Sequence, residues 1–538
     1  MAESGWFNTP LSKLFRAPAL VGTLTMSLVL AACGAPADNQ PSASAGRSDA
    51  ASAAPSPSEG GMEPVSGGTL TIATSQEVLT LDIPNYLSTQ DIMTGAITLE
   101  TLIVSDESGN LSPKLAVEWE QVDDVTYTFQ LREGVTFQDG RPFNSEAVKV
   151  FYERAKTALK SQRWYGQIDT IETNGDYEVT FKLADPYSPF LVNLSYATGG
   201  IQSPASIEEF GDEGLARNPV GTGPFQLADW TGTKITFERY DDYWGDPAYL
   251  DEIVLDYIPD ESTRLAALEA GEVDVVQNPP VHLTTSIEEN PDLQTFQGPR
   301  AQNYILALNH QNEIFQDIRV RQAIAMAIDK SQLIDGISEG LPREAAGFVP
   351  PEVVELQTAG IEYDPEGAMA LLEEAGYPDG FSIELWGPVG VVPNDVEMVE
   401  NMQAQLAEVG IDAELVVVEY AAYADALNRH EHGLSGLAWA HTTTPDSWFR
   451  GVFHSESLSN WSAYSNSEVD ELIEAAAQAP SFEEATEIWA ELDQMLVDDV
   501  AGVPIYWSTY VWAAKAAVHD FGYHPLGVLF LDRTWIEQ

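Results

Sequence analysis

Helix, glycine and strand take turns in the second half of this chain, and that alternation restricts the possible folds more than any other feature of it. Ala368 to Ala375 has helical spacing and stops at Gly376, and FSIELW follows Asp379-Gly380 as a strand. Val396 to Val409 is helical again, stops at Gly410 and leads into the strand AELVVVEY. A glycine just past the last helical residue accepts the left-handed backbone that ends a helix. Strands separated by helices of this length build layered α/β structure. Upstream, ILALN at 305–309 is a strand, and Asp317 caps a single helix over IRVRQAIAMAIDKSQLI, with Val320, Ile324, Ala327 and Ile328 on one face. Later, Glu468 to Gln478 and Ser481 to Val497 are helical, and VPIYW at 503–507 returns to strand.

The first half is richer in strands. Thr69 to Ala73 is β-branched and apolar, a buried strand that opens the folded body. In YTFQLREGVTFQDGRPF, Tyr127, Phe129 and Leu131 alternate with Thr128, Gln130 and Arg132, so the apolar side chains share one face. Asp139-Gly140 reverses the chain. Asn144 caps a helix through about Ala155, and YEVTFKL at 177–183 is a second alternating strand. Gly221 and Gly223 flank Thr222 in NPVGTGPF, a pattern that could cradle a phosphate. Pro224 removes a donor and no helix follows, so the segment reads as a tight backbone crossing instead. Ser262 to Ala270 is a short helix ended by Gly271, and Val273 to Val276 re-enters the sheet.

The first 66 residues carry no such pattern. Lys13 and Arg16 precede the apolar and small-residue run Ala17 to Ala32, too short to span a bilayer and arranged as a secretory signal peptide. Leu30-Ala31-Ala32-Cys33-Gly34 resembles the bacterial lipobox, which implies that Cys33, the single cysteine of 538 residues, is lipidated and becomes the first residue of the mature protein. Residues 34–66, rich in Ala, Ser, Pro and Gly, offer nothing to offset ordering entropy and read as a disordered tether. One cysteine allows no intrachain disulfide. Acidic residues outnumber basic ones 84 to 25, for a net charge of −59, and such a surface repels nucleic acid.

Taken in order, GGTLTIA, Leu81-Asp82, YTFQLREGVTFQDGRPF, NPVGTGPF with DDYWG, RLAALEAGEVDVV, ILALN to DIRVRQAIAMAIDK, and DDVAGVPIYW resemble the extracytoplasmic solute-binding proteins of ABC importers, in the family (family 5) that serves peptides, nickel complexes and some oligosaccharides. The resemblance implies an α/β, two-lobe periplasmic-binding-protein-like fold, with a hinge and an extra subdomain on the first lobe. It places lobe I at 67–107, 218–300 and 501–538, the subdomain at 108–217 and the second main lobe at 301–500, with the ligand enclosed between lobes that close over it. It also implies a monomer, held outside the cell by its lipidated cysteine, that hands its solute to a permease–ATPase complex.

Many peptide-binding members carry a Gly-Trp in the cleft and, three positions on, an Asp expected to pair with the ligand's α-ammonium. Here Trp439 matches, but the third position is Thr442, and Asp446 lies past Pro445. A hydroxyl does not replace a desolvated charge pair, so the amine anchor is missing. Trp439, His441, Thr442 and Thr443 form an aromatic and hydroxyl-rich set suited to a neutral polyhydroxylated ligand, or to a peptide held through its backbone. Tyr304, Asn309 and Glu77 are further candidates from the edges of strands. His430-Glu431-His432 invites a metal reading, but Gly433 puts the pair in a turn and two imidazoles fall short of a metal's ligand set. No metal or cofactor is expected. The alternative is a secreted lipoprotein hydrolase acting on oligosaccharides or peptides, but neither G-x-S-x-G nor H-E-x-x-H occurs, and no enzymatic activity is expected.

Overall fold

The computed structural model describes residues 63–538, apart from 87, 107–109, 338–339, 390–391, 393, 441–443 and 538. Cys33, the signal segment and the tether therefore lie outside the described residues, as do His441, Thr442 and Thr443.

A single sheet runs through both halves of the body. Its strands lie in the order Ile411–Glu419, Phe381–Val389, Leu434–Ala440, Leu293–Leu308, Gly502–Lys515, Val275–Gln277, Thr69–Thr74, Glu252–Tyr257, Lys234–Arg239 and Phe225–Thr231. Parallel pairs need long crossovers, and the helices read from the sequence supply them. Asp395–Glu408 connects the parallel strands Phe381–Val389 and Ile411–Glu419. Glu261–Glu269 links the two strands that flank Thr69–Thr74 in parallel. Strands covered on both faces are apolar throughout. Leu70 and Ile72 face Phe237, Val275 and Trp512, while Ala73 and Val276 face Leu265 and Leu268 of Glu261–Glu269.

The halves are joined by Leu293–Leu308 and Gly502–Lys515, which pair antiparallel over most of their length. Their register breaks between Pro299 and Asn303, so each strand belongs to the first half on one side of the break and to the second half on the other. ILALN and VPIYW are the second-half portions of these long strands. A third core surrounds the antiparallel sheet of Ala116–Asp123, Thr126–Leu131, Glu178–Leu183 and Ile168–Thr173. Phe129, Phe151, Tyr152, Trp164 and Phe181 fill it.

Tyr127, Phe129 and Leu131 are buried on one face of their strand, and the Asn144 side chain accepts the Ala147 N–H at the start of helix Ser145–Ala155. The backbone crossing at NPVGTGPF is tight: a Cβ on Gly221 would lie 2.0 Å from the Thr98 carbonyl oxygen, and one on Gly223 2.7 Å from it. The continuous helix expected after Asp317 is instead two, Ile318–Met326 and Lys330–Ile337. The apolar spacing continues across the break, but the hydrogen bonds do not. The Met326 carbonyl accepts the Asp364 N–H at 2.9 Å. Asp329 donates its own N–H to the Gln405 side chain and accepts that of Gln332, both at 2.9 Å, which restarts the helix.

Candidate functional site

A cavity of about 390 Å³ opens between the two halves. On the first-half side it meets Tyr86, Ser88 and Thr89, at the start of helix Thr89–Gly95, and Arg163 from Gln162–Tyr165. That turn is fixed from within. Ser88 Oγ accepts the Asp91 N–H at 3.2 Å, and the Asp91 carboxylate accepts the N–H groups of Ser88 at 2.9 Å and Leu79 at 2.7 Å.

The second half contributes Trp439, at the end of Leu434–Ala440, with Trp461 and Tyr420. The strand end that carries Trp439 pairs with Asn303, just beyond the register break, so the tryptophan sits beside the hinge. Its ring meets Trp461 edge-on, centroids 5.2 Å apart. Trp461 is held in turn: its indole N–H donates to Asn428 Oδ1 at 2.8 Å, and its carbonyl accepts from the His430 ring at 3.0 Å. Behind them, the Tyr423 hydroxyl donates to the Gly436 carbonyl at 2.6 Å.

Arg163 is the one charged residue lining this cavity among the described residues. Its guanidinium donates to the Tyr86 hydroxyl and lies 4.2 Å from the Trp164 ring centroid, a cation–π contact. Burial pushes the Tyr86 phenol up, against the pull of Arg163, and raises that of Tyr196, so both remain neutral hydroxyls. Rings and hydroxyls from both halves, with one cation, can grip a small molecule by stacking and hydrogen bonding.

Of the residues singled out from the sequence, the structure places Trp439 in this cavity. Tyr304 is 1 % exposed and stacks on Tyr506 at 5.2 Å. It faces into the second-half core, its hydroxyl so close to Gly436 that a Cβ there would lie 2.3 Å away. Asn309 is also buried, and its side-chain amide donates to the carbonyls of His430 and His432 at 2.9 and 2.8 Å. It braces the turn ahead of Leu434–Ala440, where His430 takes φ +52°. Glu77 is exposed after the first strand and lines none of the cavities described here. Asp446 is 2 % exposed, at the start of helix Pro445–Val452, and accepts from Arg450 at 3.2 Å and from the Tyr187 hydroxyl at 3.3 Å. Burial pushes its carboxyl up, against both partners. Sequence reasoning missed Tyr86, Arg163, Tyr420 and Trp461, which come from separate segments without a shared motif.

Aromatic rings and hydroxyls from both halves line this cavity, and the fold defines a class: a two-lobed α/β protein with a cleft between its halves. The family follows from comparison. The profile of the bacterial extracellular solute-binding proteins, family 5 Middle, matches residues 110–460. The dipeptide-binding protein of Escherichia coli (strain K12) is 30 % identical over 464 residues, 79 % of this chain and 86 % of its own length. The glutathione-binding protein GsiB of the same strain is 30 % identical over 438 residues, 78 % of this chain and 85 % of its own length. The solved structure of the ABC transporter-associated periplasmic binding protein DppA from Helicobacter pylori, in complex with the peptide STSA, aligns with a TM-score of 0.74 at 27 % identity, covering 88 % of this chain and 99 % of that one. The chain belongs to family 5 of the bacterial extracellular solute-binding proteins, and is a substrate-binding protein of the ABC-importer class. These relatives are named as binding proteins rather than enzymes. No helix among the described residues is long and apolar enough to cross a membrane.

Proposed function

We propose that this protein is the receptor of an ABC importer, lipidated at Cys33 and tethered through residues 34–66 to the outer face of the cell membrane. It captures an oligopeptide or oligosaccharide as a monomer and delivers it unchanged to the permease–ATPase complex. Lobe I comprises 67–107, 218–300 and the tail to 538, which the sequence places from 501 but which leaves the second-half core only after Trp507, with the subdomain 108–217 upon it, and 301–500 form the opposing lobe. Trp439, with His441, Thr442 and Thr443 beyond it, faces the solute from one lobe, and Tyr86 and Arg163 from the other.

The observation that carries this reading is the cavity of about 390 Å³ walled by aromatic rings from both halves. Relatives named for dipeptide and glutathione binding favour a peptide-like solute. Thr442, in place of the amine-binding carboxylate, favours one gripped through its backbone or hydroxyls. Thermal-shift screening against N-blocked and free dipeptides and against cello- and xylo-oligosaccharides tests it, because a ligand at 100 times its dissociation constant adds about 2.7 kcal/mol. A stabilising compound recovered intact, with a smaller radius of gyration in solution scattering, is the expected result. Turnover of the compound, or no stabilisation by any of them, overturns the reading.

A further inference from the structure

A second cavity, of about 110 Å³, lies behind the cleft, where the first-half core meets the third core. Ile97, Leu99, Phe225, Leu529 and Leu531, all buried, line it. Protein interiors are close-packed and rarely leave an apolar space this large. Two features keep it from collapsing. Gly221 and Gly223 cross against Thr98, directly ahead of Leu99. Next to that, the buried Glu100 is pinned by four partners, Lys114 at 3.0 Å and Tyr243, Thr222 and Trp244 at 2.8 Å each.

The same bonds decide what fits. With two partners on each oxygen, the Glu100 carboxylate has no lone pair left for a ligand. The Lys114 ammonium is met by Glu100 and by the Trp244 ring, 5.5 Å from its centroid. His524 is engaged at both nitrogens: Nδ1 accepts the Leu526 N–H at 3.1 Å, so Nε2 donates to the Asp106 carbonyl at 3.2 Å. Among the described lining residues, an anion would meet two carboxylates, Glu100 and Asp532, and a cation would find only the half-buried Asp532. An apolar cavity of about 150 Å³ takes up benzene. This one therefore suits a single small ring and not an extended acyl chain.

One wall is the hairpin of Gly522–His524 and Val528–Phe530, which pairs with itself and not with the main sheet. Its tip reaches both the hinge and the cleft. The Pro525 carbonyl accepts the Ala301 N–H at 2.9 Å, inside the stretch where the register of the hinge strands breaks. The Leu526 carbonyl accepts from the Tyr196 hydroxyl at 3.4 Å, and Tyr196 lines both cavities. Gly527 packs so closely that a Cβ there would lie 3.3 Å from the Thr89 methyl group of the cleft wall.

We infer that this cavity is a second ligand site, for a small uncharged apolar molecule about the size of one six-membered ring. Its occupant stiffens the hairpin and, through Pro525, the hinge stretch at Ala301.

Hydrogen exchange of the full chain with toluene, and with benzoate and benzylamine as charged counterparts, tests this. Opening the hairpin releases the occupant, so toluene at ten times its dissociation constant should slow exchange in 522–530 and 300–303 about tenfold. The charged compounds should not. Val104→Phe and Val528→Phe, each at a half-buried lining position, fill the space from opposite walls, and each should abolish the protection. Trp439→Ala, in the cleft, should leave it intact. Exchange unchanged up to the solubility limit of toluene means that water alone occupies the cavity and overturns the inference. So does equal protection by benzoate, or protection that survives both phenylalanine variants and disappears in Trp439→Ala. Protection that stops short of 300–303 overturns the link to the hinge. None of these outcomes touches the receptor reading, because the site lies behind the cleft.

Discussion

Trp439 is half-buried against Trp461 rather than sealed in the core. Trp439→Ala should therefore cost less than about 2 kcal/mol of stability while lowering solute affinity at least about tenfold, as loss of a central aromatic contact does. A calorimetric titration read beside a melting curve separates the two effects. Further back, burial holds the rings of His310 and His432 down to about 4. The unfolded chain takes up their protons first as pH falls, so stability is present above about pH 6.5 and lost toward pH 4, by up to about 3 kcal/mol for each ring. Asp493 works in the opposite sense. Burial raises its carboxyl to about 6, so its contribution is present below about pH 4 and lost as pH rises through 6. Among the described residues, neither His432 nitrogen has a hydrogen-bond partner. His432→Leu should leave stability near pH 7 unchanged or higher and flatten the acid limb of a melting-temperature series from pH 7.5 to 4.5; an unchanged limb contradicts this. At this scale the sequence was only partly legible. Trp439 stood out through its resemblance to a family motif, whereas Tyr304 and Asn309 sat at plausible strand edges but face inward. Nothing local in Gln162-Arg163-Trp164 signals a cleft, because what makes it one is Trp461, some 300 residues away.

Among the elements, those set by near neighbours were readable: the alternation in Thr126–Leu131, the Asn144 cap, and the glycine-terminated helices on either side of Phe381–Val389. Gly221 and Gly223 were recognisable as a crossing because proline follows them and no helix does. Gly221→Ala pushes a Cβ into the Thr98 carbonyl, backbone against backbone, and should cost about 3 kcal/mol. Chemical denaturation with an unchanged m-value and a lowered midpoint is the expected signature. The two long strands were not legible at full length. Gly298-Pro299 interrupts the pattern of one, and its partner lies about 200 residues downstream. The break at Ala327 also escaped notice, since Asp364 and Gln405, which impose it, are remote in sequence.

Over the whole molecule, the hinge strands are not the only bridge between the halves. The loop at Tyr187 and Ser188 reaches the second half through three hydrogen bonds: Tyr187 to Asp446, the Ser188 N–H to the Ala477 carbonyl, and the Ser188 hydroxyl to the Ala476 carbonyl. Removing two of them with Tyr187→Phe and Ser188→Ala should cost the closed arrangement about 1 kcal/mol apiece. Without ligand, the variant should show a larger radius of gyration than the parent, and solute should dissociate about tenfold faster. Identical scattering and off-rates would show that this bridge does not hold the cleft shut. Cys33→Ser should release the protein from membranes into the medium, and variant still pelleting with membranes would remove the lipid anchor from the proposal.

Strand Gly502–Lys515 lies inside the sheet, between Leu293–Leu308 and Val275–Gln277. A growing polypeptide therefore cannot complete its first half until almost the last residue has been made, because Val275–Gln277 waits with an open edge for a neighbour more than 200 positions behind it. Nascent chains cut short before residue 502 would expose that edge to one another, so for this molecule an interrupted synthesis is an invitation to aggregate.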